Sequence, residues 1–143
     1  MTKYLSIDDV VIPDWLFDAV LCEPNKGQIA SKEIHDWVDD VLLPIARNHP
    51  LARDGLRVSS NHVHIGSLGL DPHNHLPHVQ TSVLYLADSE GRLVLHLDGE
   101  QVPVIPRAGR FVTFSADVVH HVEQSHFDEL RIALVTNYEY PPV

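Results

Sequence analysis

Residues 71–86 read DPHNHLPHVQTSVLYL, so His73, His75 and His78 fall within six positions. Neutral imidazoles are good ligands for divalent metals, each offering one nitrogen lone pair. On an extended strand, His73 and His75 share one face and lie about 7 Å apart along the chain, a spacing from which two rings can grip one ion. A third ligand must then come from another strand. The pair His120-His121 in SADVVHHVEQ supplies a candidate, and strand alternation turns only one of the two inward. His62 and His64, in SSNHVHIGS, form a second H-x-H pair with the same spacing, so spacing by itself does not choose between the pairs. His35, His49 and His126 lie among polar residues and read as solvated, while His96 in LVLHLDG reads as a strand residue.

The elements that must position these rings follow from pattern. At 143 residues and 44 % hydrophobic composition, the chain reads as one globular domain spanning 1–143. Residues 1–56 read as a helical N-terminal part. Pro13 opens a short amphipathic run, DWLFDAVL. Ser31 is an N-cap candidate for SKEIHDWVDDVLLPIARNH, in which Ile34, Trp37, Val38, Val41 and Leu42 fall on one helical face. Pro44 ends or kinks that helix. From residue 57 the pattern changes to short strands, read at 57–65, 79–87, 92–97, 101–105, 110–115, 119–124 and 129–138. Turn signals DSEG, LDGE and PRAG separate them, and Asp98-Gly99 is a hairpin signal. The expected fold is mainly β: an antiparallel sandwich or barrel of the jelly-roll type over 57–143, with the N-terminal helices covering one sheet.

Composition excludes several functions. The formal charge is −10, with 10 Lys and Arg against 20 Asp and Glu, which argues against a nucleic-acid partner. An anionic small molecule is still accommodated, since one buried Arg holds a carboxylate locally. No apolar run approaches the roughly 20 residues that span a bilayer, so no membrane partner is expected. The N-terminal MTKYLSIDDVVIPDW carries acids where a secretory leader needs a basic and then an apolar region, and the chain reads as cytoplasmic. The single cysteine, Cys22, rules out an internal disulfide and a cysteine-rich zinc site, and reads as a buried inert thiol.

Four pieces, HNHLPHVQTSVLYL, IPRAGRFVTF, HHVEQ and RIALVTN, occur in an order and spacing that resembles the iron(II)- and 2-oxoglutarate-dependent oxygenases. The likeness is to the small prolyl-hydroxylase-like members carrying H-x-H, and it covers residues 71–138. It implies a double-stranded β-helix, or cupin-like barrel. It also implies the metal-ligand set His73, His75 and His120, with His120 chosen over His121 because it begins the H-x-V match. Arg131 takes the place of the basic residue that pairs with the far carboxylate of 2-oxoglutarate. Tyr85 takes the place of a tyrosine that hydrogen-bonds the same co-substrate. Three positions depart from the common pattern: His75 replaces an Asp, Ala133 a Ser or Thr, and Ser82 a Gly.

The implied chemistry is that of an Fe(II)- and 2-oxoglutarate-dependent dioxygenase that hydroxylates a small molecule with O2. Three protein ligands on one face leave three iron positions for co-substrate and O2, and guanidinium suits the remaining carboxylate because it binds bidentately and keeps its charge. Around the site, Asp71 reads as a turn former or as an orienter of a ligating ring, His78 as a rim residue or donor, and Asn74 as solvated. Tyr138 and Tyr140 read as core or surface aromatics. Arg131 also has a plain reading, as a surface residue paired with Asp128 or Glu129. Two other functions compete. One is a three-histidine cupin-type dioxygenase that binds its substrate directly at the metal without 2-oxoglutarate. The other is a non-catalytic metal-binding barrel. The N-terminal helices either cover the sheet or join two copies in a homodimer.

Overall fold

The computed structural model describes residues 5–24, 27–126 and 130–142. Nine strands form two antiparallel sheets. The larger has the order β1-β7-β4-β9-β2, built from β1 (Leu5–Asp9), β2 (Arg57–Gly66), β4 (Gln80–Tyr85), β7 (Arg110–Ser115) and β9 (Arg131–Glu139). The smaller has the order β3-β8-β5-β6, built from β3 (Leu70–His73), β5 (Leu93–Leu97), β6 (Glu100–Val104) and β8 (His120–Val122).

Period-2 alternation divides the large sheet between two buried clusters. On one face Val83, Tyr85, Val112, Phe114, Ala133 and Val135 share a cluster with Leu93, Leu95, Leu97 and Val104 of the small sheet. On the other, Val63, Leu84, Phe111 and Leu134 share a cluster with Leu16 and Val20 of α1 (Asp14–Leu21) and with Ile34, Val38 and Leu42. β4, QTSVLY, is buried along its whole length, its polar first half satisfied by hydrogen bonds from Gln80 to Ala46 O, from Thr81 to Asn137 Oδ1 and between Ser82 and Thr113.

The helical segment after Ser31 follows its sequence signals. Ser31 Oγ accepts from the Ile34 N–H at 3.3 Å and caps α2 (Lys32–Trp37). Pro44 has no N–H for the Asp40 carbonyl, and the helix loosens into a π turn over Val38–Leu42, where the Leu43 N–H reaches back to Val38 O. A last turn, α3 (Leu43–Ala46), follows.

Two strands were not expected. Residues 5–9 are not helical: LSIDD pairs along β7 from Leu5↔Phe114 to Asp9↔Arg110. Residues 70–73 form β3, despite Pro72, because His73 pairs with His120 of β8. The Asp98-Gly99 hairpin is borne out: both residues have positive φ, 50° and 81°, as a type I′ turn requires.

Gly109 shows how closely β1 is held. Its φ is +89°, and a Cβ there would stand 2.6 Å from Val10 O, while the Val10 N–H donates to Gly109 O at 2.8 Å. Gly109→Ala is expected to cost about 1–3 kcal/mol, seen in urea unfolding as a lower midpoint at unchanged slope.

Candidate metal centre

His120 opens β8 and is 3 % exposed, its ring 5.0 Å from that of Phe114. Its Nδ1 lies 3.0 Å from Val118 O. A carbonyl can only accept, so Nδ1 carries the proton and Nε2 presents a lone pair. His73 ends β3 in the same tautomer, its Nδ1 2.8 Å from Asp71 O. Asp71 therefore orients the ring through its backbone, not its carboxylate. His75 is not on the strand with His73. It lies two residues beyond β3, where its N–H donates to Ala116 O at 2.8 Å. That turn brings the second imidazole around to the first and third.

The three rings converge. Centroids are 5.3 Å apart for His73 and His75, 4.3 Å for His73 and His120, and 4.9 Å for His75 and His120. One nitrogen from each lies within 4.8 Å of the other two, the only such trio of possible ligand groups among the described residues. The Nε2 atoms of His75 and His120 are 3.1 Å apart. Two nitrogens bound at right angles to one ion, each at about 2.1 Å, stand roughly 3 Å apart, so this pair spans one edge of an octahedron. The donor set is neutral imidazole throughout, which suits borderline divalent ions.

Burial keeps the His75 and His120 rings neutral. It pushes His120 down to about 3, with the neighbouring His73 and His75 adding to the effect and Val118 O opposing it. Burial and then His73 push His75 down to about 4, against the Asn137 side chain. Both folded values lie below the unfolded histidine value, so the unfolded chain binds more protons across that window. The metal-free protein should therefore lose stability as pH falls from about 6.5 toward 4, by at most about 1.4 kcal/mol per pH unit for each ring. Urea midpoints measured between pH 7 and 4 on wild type and on His120→Gln check this; equal slopes would refute it.

The triad forms one end of a cavity of about 40 Å³. Its other wall is the large sheet: Val83 and Tyr85 of β4, Arg131, Ala133 and Val135 of β9, and His64 of β2. Arg131 is 6 % exposed and donates to Leu68 O at 2.9 Å and to Glu123 O at 3.4 Å. Among the described residues no carboxylate reaches it. Asp128 and Glu129, its alternative partners, lie outside the described residues. Burial lowers the guanidinium pKa, with Tyr85 opposing, and burial raises that of Tyr85 beside Arg131. Gly91 leaves room for the guanidinium, since a Cβ there would stand 3.0 Å from Arg131 Nη1. A buried, desolvated cation facing a cavity is a site for an anion.

Other expectations are corrected. His49 is buried, at 3 % exposure, and accepts from the Leu51 N–H; His35 is not free in solvent but holds Ile29 O at 2.6 Å and Asn61 at 2.8 Å. Cys22 is exposed. His121 points away from the triad and pairs with His96, 2.7 Å away. As expected, Asn74 and His126 are exposed and Tyr138 is core, while Tyr140 stacks under Arg53. Sequence reasoning weighed His64 only as a member of the rival H-x-H pair and gave no role to Asn137. Alternation along RIALVTN puts Asn137 on the face of Arg131, and that signal would have found it.

No family model matches the chain, and no curated protein matches it in sequence. Solved structures do. A prolyl-4-hydroxylase from Pseudomonas putida superposes with a TM-score of 0.75 at 21 % identity, over 99 % of this chain and 95 % of that one. SnoK, a non-heme alpha-ketoglutarate-dependent carbocyclase from nogalamycin biosynthesis, gives 0.74 at 18 %, over 94 % and 78 %. A prolyl hydroxylase from Trichoplax adhaerens, solved with a hypoxia-inducible-factor peptide fragment, gives 0.70 at 17 %, over 97 % and 84 %. The fold is that of the 2-oxoglutarate–Fe(II) oxygenases, and a histidine trio stands in its cavity.

Proposed function

We propose that the protein is an Fe(II)- and 2-oxoglutarate-dependent dioxygenase that hydroxylates a small molecule. Its two sheets would then be the halves of a double-stranded β-helix, with the N-terminal helices covering the larger. His73, His75 and His120 hold the metal. Arg131 and Tyr85 hold the far carboxylate of 2-oxoglutarate. The observation that carries the reading is Arg131, a buried cation without a carboxylate partner among the described residues, in the same cavity as three convergent imidazoles.

When bound, iron(II) and 2-oxoglutarate supply an oxidation in which O2 gives one oxygen to succinate, with release of CO2, and the other to the substrate. The protein's part is positional. Val118 O and Asp71 O fix the tautomers of His120 and His73, so that two Nε2 lone pairs face the cavity before any ion arrives. Leu68 O and Glu123 O hold the guanidinium in one orientation. Tyr85, its pKa raised by burial, stays a phenol whose O–H donates a hydrogen bond to the carboxylate. The apolar walls, Leu70, Val83, Leu93, Val122 and Val135, exclude water.

The test is anaerobic titration of the Fe(II) protein with 2-oxoglutarate, watching for the weak visible charge-transfer band of a chelated co-substrate. A saturable band is expected. Bound iron with no band at any concentration would refute the reading. It would favour substrate binding directly at the metal, the alternative that the all-histidine trio supports.

A further inference from the structure

We propose that His62, His64 and His78 form an imidazole-lined entry to this centre that recognises its substrate by a carboxylate or phosphate group. The inference rests on the oxygenase reading and adds the class of substrate.

Among the described residues, six polar side chains line the cavity: His64, His73, His75, Tyr85, His120 and Arg131. The three ligands, Arg131 and Tyr85 have roles in that reading, which leaves His64. It lies on β2, directly across from Ala133, which in turn lies across from Tyr85 on β4. The Ala133 side chain adds no polar atom, so the next polar side chain after Tyr85 on this row is His64. The same face of β2 continues outward in two-residue steps. His62 follows, its Nε2 3.2 Å from Ser60 Oγ, and Ser60 Oγ accepts from Asn137 Nδ2 at 3.3 Å. His78 comes from the loop carrying His75, its N–H donating to His75 O at 3.0 Å. Its ring acts electrostatically on both His62 and His75, and His64 acts on His75.

The acids are elsewhere. The chain carries 20 Asp and Glu, yet among the described residues none lines the cavity. Glu139, which feels His78, is held by Arg57 at 2.8 Å. An ammonium group entering here would find no carboxylate and would face a divalent ion. An oxyanion would find N–H donors and the attraction of that ion. A surface of net charge −10 repels such a substrate at a distance, so the attraction must be built locally, at the mouth.

The experiment uses the Zn(II)-loaded protein, with and without saturating 2-oxoglutarate. Benzoate, phenyl phosphate and benzylamine are titrated in while the imidazole Hε1 resonances of His62, His64 and His78 are followed by NMR. At least one anion should move all three and bind at least tenfold more tightly than benzylamine. The preferred anion separates carboxylate from phosphate. The double variant His62→Leu/His78→Leu, and His62→Asn as a milder check, should weaken that binding at least tenfold with one zinc still bound per chain. Unmoved resonances, equal binding of benzylamine, no effect of the variants, or a second zinc on these rings would overturn the proposal. Failure of 2-oxoglutarate to bind would instead sink the oxygenase reading, and the titration without it still decides this one.

Discussion

Arg131→Met is expected to weaken 2-oxoglutarate binding by about 30- to 1000-fold while leaving the metal bound, the range that follows from losing one partner of a buried charge pair. The guanidinium is buried, held by Leu68 O and Glu123 O, and opposed to no carboxylate among the described residues. Arg131→Lys should fall between the two, since an ammonium cannot satisfy both carbonyls and also grip a carboxylate with a fork. Stability should move the other way. A desolvated, unpaired cation contributes little to the empty protein, so methionine should leave the unliganded urea midpoint unchanged or raise it. Titration of the Fe(II) protein measures the first effect. A loss smaller than threefold would mean that the anion is held elsewhere.

The second large effect concerns the metal. His120→Gln is expected to lower divalent-metal affinity at least about 100-fold. Residues that merely orient a ligand already cost 10- to 100-fold when removed, and His120 supplies a ligand nitrogen itself. His75→Asp should keep the metal, because a carboxylate at that position provides an oxygen donor in place of an imidazole. His62→Ala, on the other H-x-H pair, should leave affinity unchanged. Metal content after dialysis against a graded chelator reads all three. Retention of metal by His120→Gln would refute the trio.

These variants also mark what was legible beforehand. The strands β4, β5, β7 and β9 follow from apolar runs between turn signals, and the Asp98-Gly99 turn follows from backbone chemistry alone. β3 was hidden because four residues with a proline carry no strand period; its pairing with β8 is set by neighbours distant in sequence. β1 was hidden for a similar reason, since LSIDD has one apolar face only when β7 lies beside it. Local spacing could not separate His73 and His75 from His62 and His64, and the structure shows why. A member of each pair reaches the same cavity, His64 from β2, His73 from the end of β3 and His75 from the turn beyond it. The family pattern chose the trio that the geometry brings together. Cys22 and His49 were misjudged in opposite directions, because burial of a single side chain depends on which loop covers it.

The outer strands of the large sheet, β1 and β2, lie at its two ends. Open sheet edges recruit other chains into aggregates. β2 is blunted by the segment before α2: Gln28 bridges to His62, and the Ile29 N–H donates to Asn61 O at 3.0 Å. A His35–Asn61–Thr136 chain of hydrogen bonds, 2.8 Å and then 2.6 Å, anchors that strand from the helical side. β1 ends in the exposed pair Asp8-Asp9, charges of the kind that discourage a further strand from docking. The part of the chain that carries none of the candidate metal ligands thus covers one edge of the large sheet and places charge on the other, the two devices that discourage edge-to-edge pairing of sheets.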